Sequence, residues 1–307
     1  MTQSEVTFAN LMGKIMVAVG ALGTAITVVL RVWLSPGVIN SNNGMLDAPW
    51  LVIGCMLVCL VGLFLLGLKM GSIRRELVGG PSVAMAMSLM AVSALLLYSE
   101  GESLLLAFNN TVPTLQIIQS VLGVLSAFAL VALSLRLLSE GASRRGIAQW
   151  IMLLPVLWMW FRVVNYEMSY NSLVRVEDAF FGFTMLILEL LFLFKFARYI
   201  AGVGLVRTGF MLFYALSTAV FALSSLAVQV IFFYKNDGMS LNAYGIATVA
   251  DLAIALLAAA FAVALLFGKE QVQTEEFELP EVESAGKELI IPSGEEEASG
   301  DNGLITE

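Results

Sequence analysis

Eight stretches of about 20 mostly apolar residues, each long enough to cross a hydrocarbon core, decide what this chain can be. They cover residues 10–34, 48–69, 81–99, 113–138, 147–165, 178–200, 208–234 and 243–267, with short polar turns between them. Backbone N–H and C=O groups in lipid must be satisfied inside the element, so each stretch is expected to be an α-helix. The ten-residue alternation of a membrane β-barrel is absent. The expected fold is therefore an all-α polytopic membrane protein, with eight transmembrane helices within residues 1–268 and a tail at 269–307. Composition agrees: 59% of residues are hydrophobic and 13% charged, against about 45–50% and about 25% in soluble domains. Residues 1–10 hold Glu5, no basic cluster and no cleavage-site pattern, so the first span is expected to stay in the mature protein.

Charge separates body from tail. Residues 270–307 carry twelve acids against Lys287 alone, whereas the whole chain stands at −8, which leaves +3 on the first 269 residues. The tail is rich in Glu, Gly, Ser and Pro, and disorder is expected. Its one apolar cluster, Leu289-Ile290-Ile291 before Pro292, reads either as part of a solvated end or as an anchor for a partner protein. No basic stripe lies on a polar face, which excludes nucleic acid as a partner.

Orientation follows from lysine and arginine near the span ends. Lys14, Lys69, Arg74, Arg75, Arg136, Arg144, Arg145, Lys195, Arg198, Arg207 and Lys269 fall on one side; Arg31, Arg162, Arg175 and Lys235 fall on the other. The richer side is cytoplasmic, so the expectation is a multi-pass protein of the cell membrane with both termini inside. Glu100 and Glu102 fall in the outer loop that follows the third span.

A shift of 131 residues aligns 28–50 with 159–181 and matches Arg31-Val32 to Arg162-Val163, Asn40-Ser41 to Asn171-Ser172 and Asp47-Ala48 to Asp178-Ala179. Two parallel four-helix repeats would produce this, as in transporters whose site lies between halves. Two unrelated hairpins would produce it too, with interface arginines that snorkel and aspartates that cap helix N-termini. Under duplication, crossed ion pairs Arg31–Asp178 and Arg162–Asp47 are expected.

Ionisable groups inside the membrane are costly and usually face the bundle interior. Glu189 lies about 11 residues into the sixth span and Asp251 about nine into the eighth. Asp178, Gly182, Met185 and Glu189 share one helix face. Arg162, Tyr166 and Tyr170 stack along the fifth span beyond a Pro155 kink, and Gln229 lies in the outer part of the seventh. The expected substrate- or ion-binding set is Glu189, Asp251, Arg162, Gln229, Tyr166 and Asp178. Glu189 and Asp251 either carry a cation or proton, or pair internally with Arg162 and Lys195 to lock the bundle, or line an outward cavity for a small ligand. Lys195, at i+6 from Glu189, is off its face and cannot bond it within one regular helix.

Cys55 and Cys59 share one face of an apolar helix and read as packing residues. With no histidine in the chain, no metal site and no cofactor are expected. Metalloprotease, phosphate-loop, nucleophile-elbow and dinucleotide signatures are absent, so an enzyme is not expected. Gly20, Gly23 and Gly62 are expected at close helix contacts.

The Arg-ending first span, the polar outer loop and the segment Tyr170-Asn-Ser-Leu-Val-Arg-Val-Glu-Asp178 resemble uncharacterised eight-span bacterial membrane proteins over most of the chain. That resemblance implies the same topology and no particular activity. The expected function is a transporter or channel-like protein that binds a small solute or ion in an outward-facing polar cavity. The alternative is a sensor or scaffold subunit that holds a partner through its cytoplasmic turns and tail. Self-association stays open.

Overall fold

The computed structural model describes residues 3–34, 49–70, 75–76, 80–109, 113–138, 148–168, 176–201, 207–235, 248–267 and 269–270. The helices are α1 (Gln3–Leu34), α2 (Pro49–Lys69), α3 (Gly80–Asn109), α4 (Thr114–Leu138), a single turn α5 (Ala148–Ile151), α6 (Leu153–Met168), α7 (Val176–Ala201), α8 (Thr208–Lys235) and α9 (Val249–Phe267). Two residues of β1 (Arg75–Glu76) pair antiparallel with two of β2 (Lys269–Glu270), Arg75 opposite Glu270. Residues 1–272 form one compact unit; those from 273 on form a second that lies outside the described residues, as does the predicted disorder of the tail.

Six helices, α1, α2, α3, α4, α8 and α9, are long and apolar enough to cross a membrane. Helix α6 has 16 residues and contains Arg162, and α7 carries Glu189, Lys195 and Arg198. Large apolar side chains such as Leu22, Val58, Phe128 and Leu135 face outward along the apolar helices. That is costly in water and ordinary against lipid.

Three boundaries depart from expectation. Helix α3 continues ten residues beyond 99 to Asn109. Ser103 Oγ donates to the Ser99 carbonyl at 3.0 Å within the helix, and Glu100 is buried rather than set in a loop. Helix α9 begins at Val249, six residues after the expected start at 243, which puts Asp251 in its first turn. In the fifth span the helix breaks at Met152 between α5 and α6. Pro155 has no N–H to offer the residue four before it, so the break falls one turn upstream and the proline joins the first turn of α6.

Six helices pack as a closed ring: α3 on α4, α4 on α6, α6 on α7, α7 on α8, α8 on α9, and α9 back on α3. Helices α1 and α2 pack on each other and both lie against α8. The bundle is thus grouped as six plus two.

Apolar burial gives no net drive between helices in lipid, so close packing and polar contacts hold them together. Ser134 of α4 donates to the Ala86 carbonyl of α3 at 2.7 Å, and Thr218 of α8 donates to the Leu188 carbonyl of α7 at 3.0 Å. Helices α2 and α8 touch backbone to backbone: a Cβ on Gly67 would sit 2.9 Å from the Gly209 oxygen. Gly20 faces Leu216 and Val220 of α8, and Gly23 faces Cys59. Nothing lies within 4 Å of where a Gly62 Cβ would be. Gly62 faces open space and marks no helix contact.

Candidate functional site

Four of the six ring helices bring ionisable side chains together. Arg162 comes from α6, Glu189 from α7, Asp251 from α9 and Glu100 from α3. Their exposures are 7%, 0%, 0% and 3%. Two of the acids, Glu189 and Asp251, therefore share one arginine, and Glu100 is buried nearby against Trp158.

Asp251 is the best-held of them. Thr248-Val-Ala-Asp251 supplies one half of a capping box, in which the carboxylate of the third helical residue accepts from the residue before the helix. The Thr248 N–H donates to Asp251 Oδ2, and so does the Thr248 hydroxyl, at 3.0 Å. The carboxylate also meets the positive end of the α9 dipole. Arg162 then closes a two-point pair: Nη2 donates to Asp251 Oδ2 at 2.8 Å and Nη1 lies against Oδ1. The same Nη2 reaches the Thr248 hydroxyl at 2.8 Å. A planar guanidinium suits a two-point grip of this kind.

Glu189 is held less completely. It sits thirteen residues after the start of α7, roughly 20 Å along the helix and near its middle. Oε2 is 3.5 Å from Arg162 Nη1, and neither oxygen accepts a hydrogen bond among the described residues. The Glu189 and Asp251 carboxyls both lie against Arg162 Nη1, and like charges so placed repel one another in a dry site.

Glu100 occupies the other side of the arginine. Trp158 Nε1 donates to its Oε1 at 3.2 Å, and the Trp158 ring lies 5.6 Å from the Arg162 guanidinium. Gly123 of α4 makes room, since a Cβ there would strike Glu100 Cγ and lie 2.8 Å from the indole nitrogen. No family model, curated protein or solved structure matches the chain. What the cluster does is therefore argued from its own chemistry.

Toward the expected cytoplasmic ends, α7 and α9 close over the cluster with aromatics. Phe192 and Phe261 are 6.1 Å apart by ring centroid, Phe196 and Phe261 5.1 Å, and Tyr199 and Phe261 5.3 Å. Glu189 is one turn from Phe192 on the same helix. Toward the opposite ends the closure is polar: Asn165 of α6 donates to Gln119 of α4 at 2.9 Å.

The structure brings Glu189, Asp251 and Arg162 together, three of the six residues singled out for binding. Tyr166 lies one turn beyond Arg162, half-buried against the core. Gln229 and Asp178 fall on α8 and α7, but their side chains are outside the described residues, and Asp47 is outside them altogether. The crossed pairs Arg31–Asp178 and Arg162–Asp47 accordingly lie outside the description. Arg31 reaches Ser225 at 3.4 Å and stacks on Phe181 at 4.7 Å. Lys195 turns away from Glu189 and lies 5.7 Å from the Tyr214 ring, as its off-face spacing requires.

Glu100, Trp158 and Thr248 were not among the expected site residues. Thr248 carried a signal, the Thr-x-x-Asp pattern ahead of an apolar run. Trp158 read as one more apolar residue, and Glu100 read as part of a loop.

Proposed function

We propose that the protein is a membrane transporter or channel-like protein that binds a small cation or a proton at the Arg162–Glu189–Asp251 cluster. One observation carries this reading: a single buried arginine faces more buried carboxylates than its charge can balance. An uncompensated carboxylate in a low-dielectric site is strongly disfavoured, so something positive must arrive. Asp251, capped and gripped at two points, is the fixed charge; Glu189, with neither oxygen hydrogen-bonded, is the exchanging one. The lock reading fits Asp251 and leaves Glu189 unexplained.

The topology that goes with this is eight crossings with both ends cytoplasmic. The α6–α7 hairpin crosses as a pair beside the six apolar helices. The β1–β2 pairing requires α6 and α7 to cross together or not at all, because Arg75 and Glu270 lie on one side of the membrane and the apolar helices α3, α4, α8 and α9 between them already make an even number. Arg162 lies six residues from the outer end of α6, and Asp251 lies in the outer turn of α9. Access is therefore from outside, with the aromatic layer as the inner closure.

The test is flux in liposomes holding the purified chain, with an entrapped pH dye and an imposed potassium-diffusion potential. Wild type is expected to move protons or exchange them for a cation, and Glu189→Gln is expected to stop it. A Glu189→Gln variant with unchanged flux and higher thermal stability would make the cluster a structural lock.

A further inference from the structure

We propose that Glu100 is a second proton-holding site, on the α4 side of Arg162, and that the ion handled by the cluster is the proton. This rests on the transport reading above and extends it to a second carboxyl and to one ion.

The argument begins with what Arg162 has left to give. Its Nη2 hydrogen-bonds Asp251 and Thr248, and its Nη1, with no hydrogen bond among the described residues, lies in ion-pair range of Asp251 and Glu189 on the α9 and α7 side. Among the described residues Glu100 accepts the neutral indole N–H of Trp158 on Oε1. Its Oε2 is buried with no hydrogen bond among them, and so is the hydroxyl of Ser120, one turn before the Gly123 that faces Glu100. A proton on Oε2 turns that oxygen into a donor with the serine hydroxyl at hand as acceptor. It cancels the carboxylate charge and satisfies both atoms at once.

The charged groups facing Glu100 from its neighbours are Arg162 on α6 and Asp251 on α9; α4 offers Ser120 and Gly123. Those facing Glu189 are the same arginine and Asp251. Protons on Glu100 and Glu189 leave Arg162 and Asp251 as a balanced pair, with no net charge in the cluster. A metal cation would do this poorly. The guanidinium already fills the cationic position against Asp251 and Glu189, and the Gly123–Trp158 wall closes tightly on Glu100. Each carboxyl takes one proton from water on loading and returns it on release. No other reactant is required.

Infrared difference spectroscopy of the whole chain in lipid nanodiscs tests this through the C=O stretch of protonated carboxyls. Wild type is expected to show two components near neutral pH, unchanged when sodium or potassium chloride is added. Glu100→Gln should remove one and Glu189→Gln the other. Trp158→Phe should shift the Glu100 component without removing it, which keeps the assignment testable if Glu100→Gln does not fold. If Glu189→Gln removes intensity and Glu100→Gln removes none, the second site is overturned while the Glu189 reading stands. If neither removes intensity, both fall. Components that vanish with added salt at fixed pH would replace the proton with a metal cation and overturn the choice of ion.

Discussion

Arg162→Met removes the one positive charge from the cluster and keeps the volume of the stem. The arginine makes two contacts with Asp251, one with Glu189 at 3.5 Å and one with Thr248 at 2.8 Å. Breaking one side of a buried ion pair typically costs about 3–5 kcal/mol. At about 2 °C per kcal/mol for a chain of this length, the expected loss is about 6–10 °C. Thermal unfolding in lipid nanodiscs, followed by tryptophan fluorescence, measures it. The double variant Arg162→Met with Asp251→Asn should recover most of the loss, because the orphaned charge is gone. A loss below about 2 °C would show that water screens the site and that the burial argument is wrong.

Two further predictions concern packing and capping. Gly209→Val places a branched side chain against the Gly67 carbonyl, a backbone atom that cannot retreat. It should cost about 1–3 kcal/mol as overpacking, while Gly62→Ala, facing open space, should leave the melting temperature unchanged; equal losses at the two glycines would refute the α2–α8 crossing. Thr248→Ala removes the cap hydroxyl and one of the arginine's partners. It should cost about 1 kcal/mol with Thr248→Ser close to wild type, and a serine variant as damaged as the alanine one would mean that the hydroxyl bonds are not what matters.

The features legible in the sequence were those that depend on one helix at a time. Apolar length located the helices, and the off-face spacing of Lys195 correctly denied it to Glu189. The Pro155 break followed from a missing N–H. Depth within a helix also marked Glu189 as buried without any knowledge of its neighbours. What could not be read depends on which helices meet. Glu100 looked like loop because Ser-Glu-Gly-Glu-Ser is polar, yet Trp158, 58 positions away in sequence, bonds it inside the bundle. Asp251 looked nine residues deep because the apolar run begins upstream. The cap at Thr248 instead starts the helix three residues before it, and the depth comes from packing around that end. The six-plus-two grouping is likewise a property of contacts between helices, which a local match between 28–50 and 159–181 does not report.

The charges that set α6 and α7 apart from the other helices also bind them into the ring. An arginine or acidic side chain near the middle of a spanning helix costs roughly 3 kcal/mol on insertion scales. On the proposed reading, in which α6 and α7 also cross, the sequence bears that cost for Arg162 and again for Glu189. The two helices are adjacent in the chain and packed on each other, so they can enter as a hairpin with opposite charges facing. The remaining attraction reaches across to Asp251 on α9, which fixes the hairpin against the helix that closes the ring onto α3. Helices α1 and α2, with no comparable charge in their middles, lie outside the ring and expose most of their surface to lipid. Removing Arg162 should accordingly make α6 a better membrane-inserting segment and the folded protein a less stable one. Hydropathy alone gives that pair of effects the same sign; the cluster gives them opposite signs.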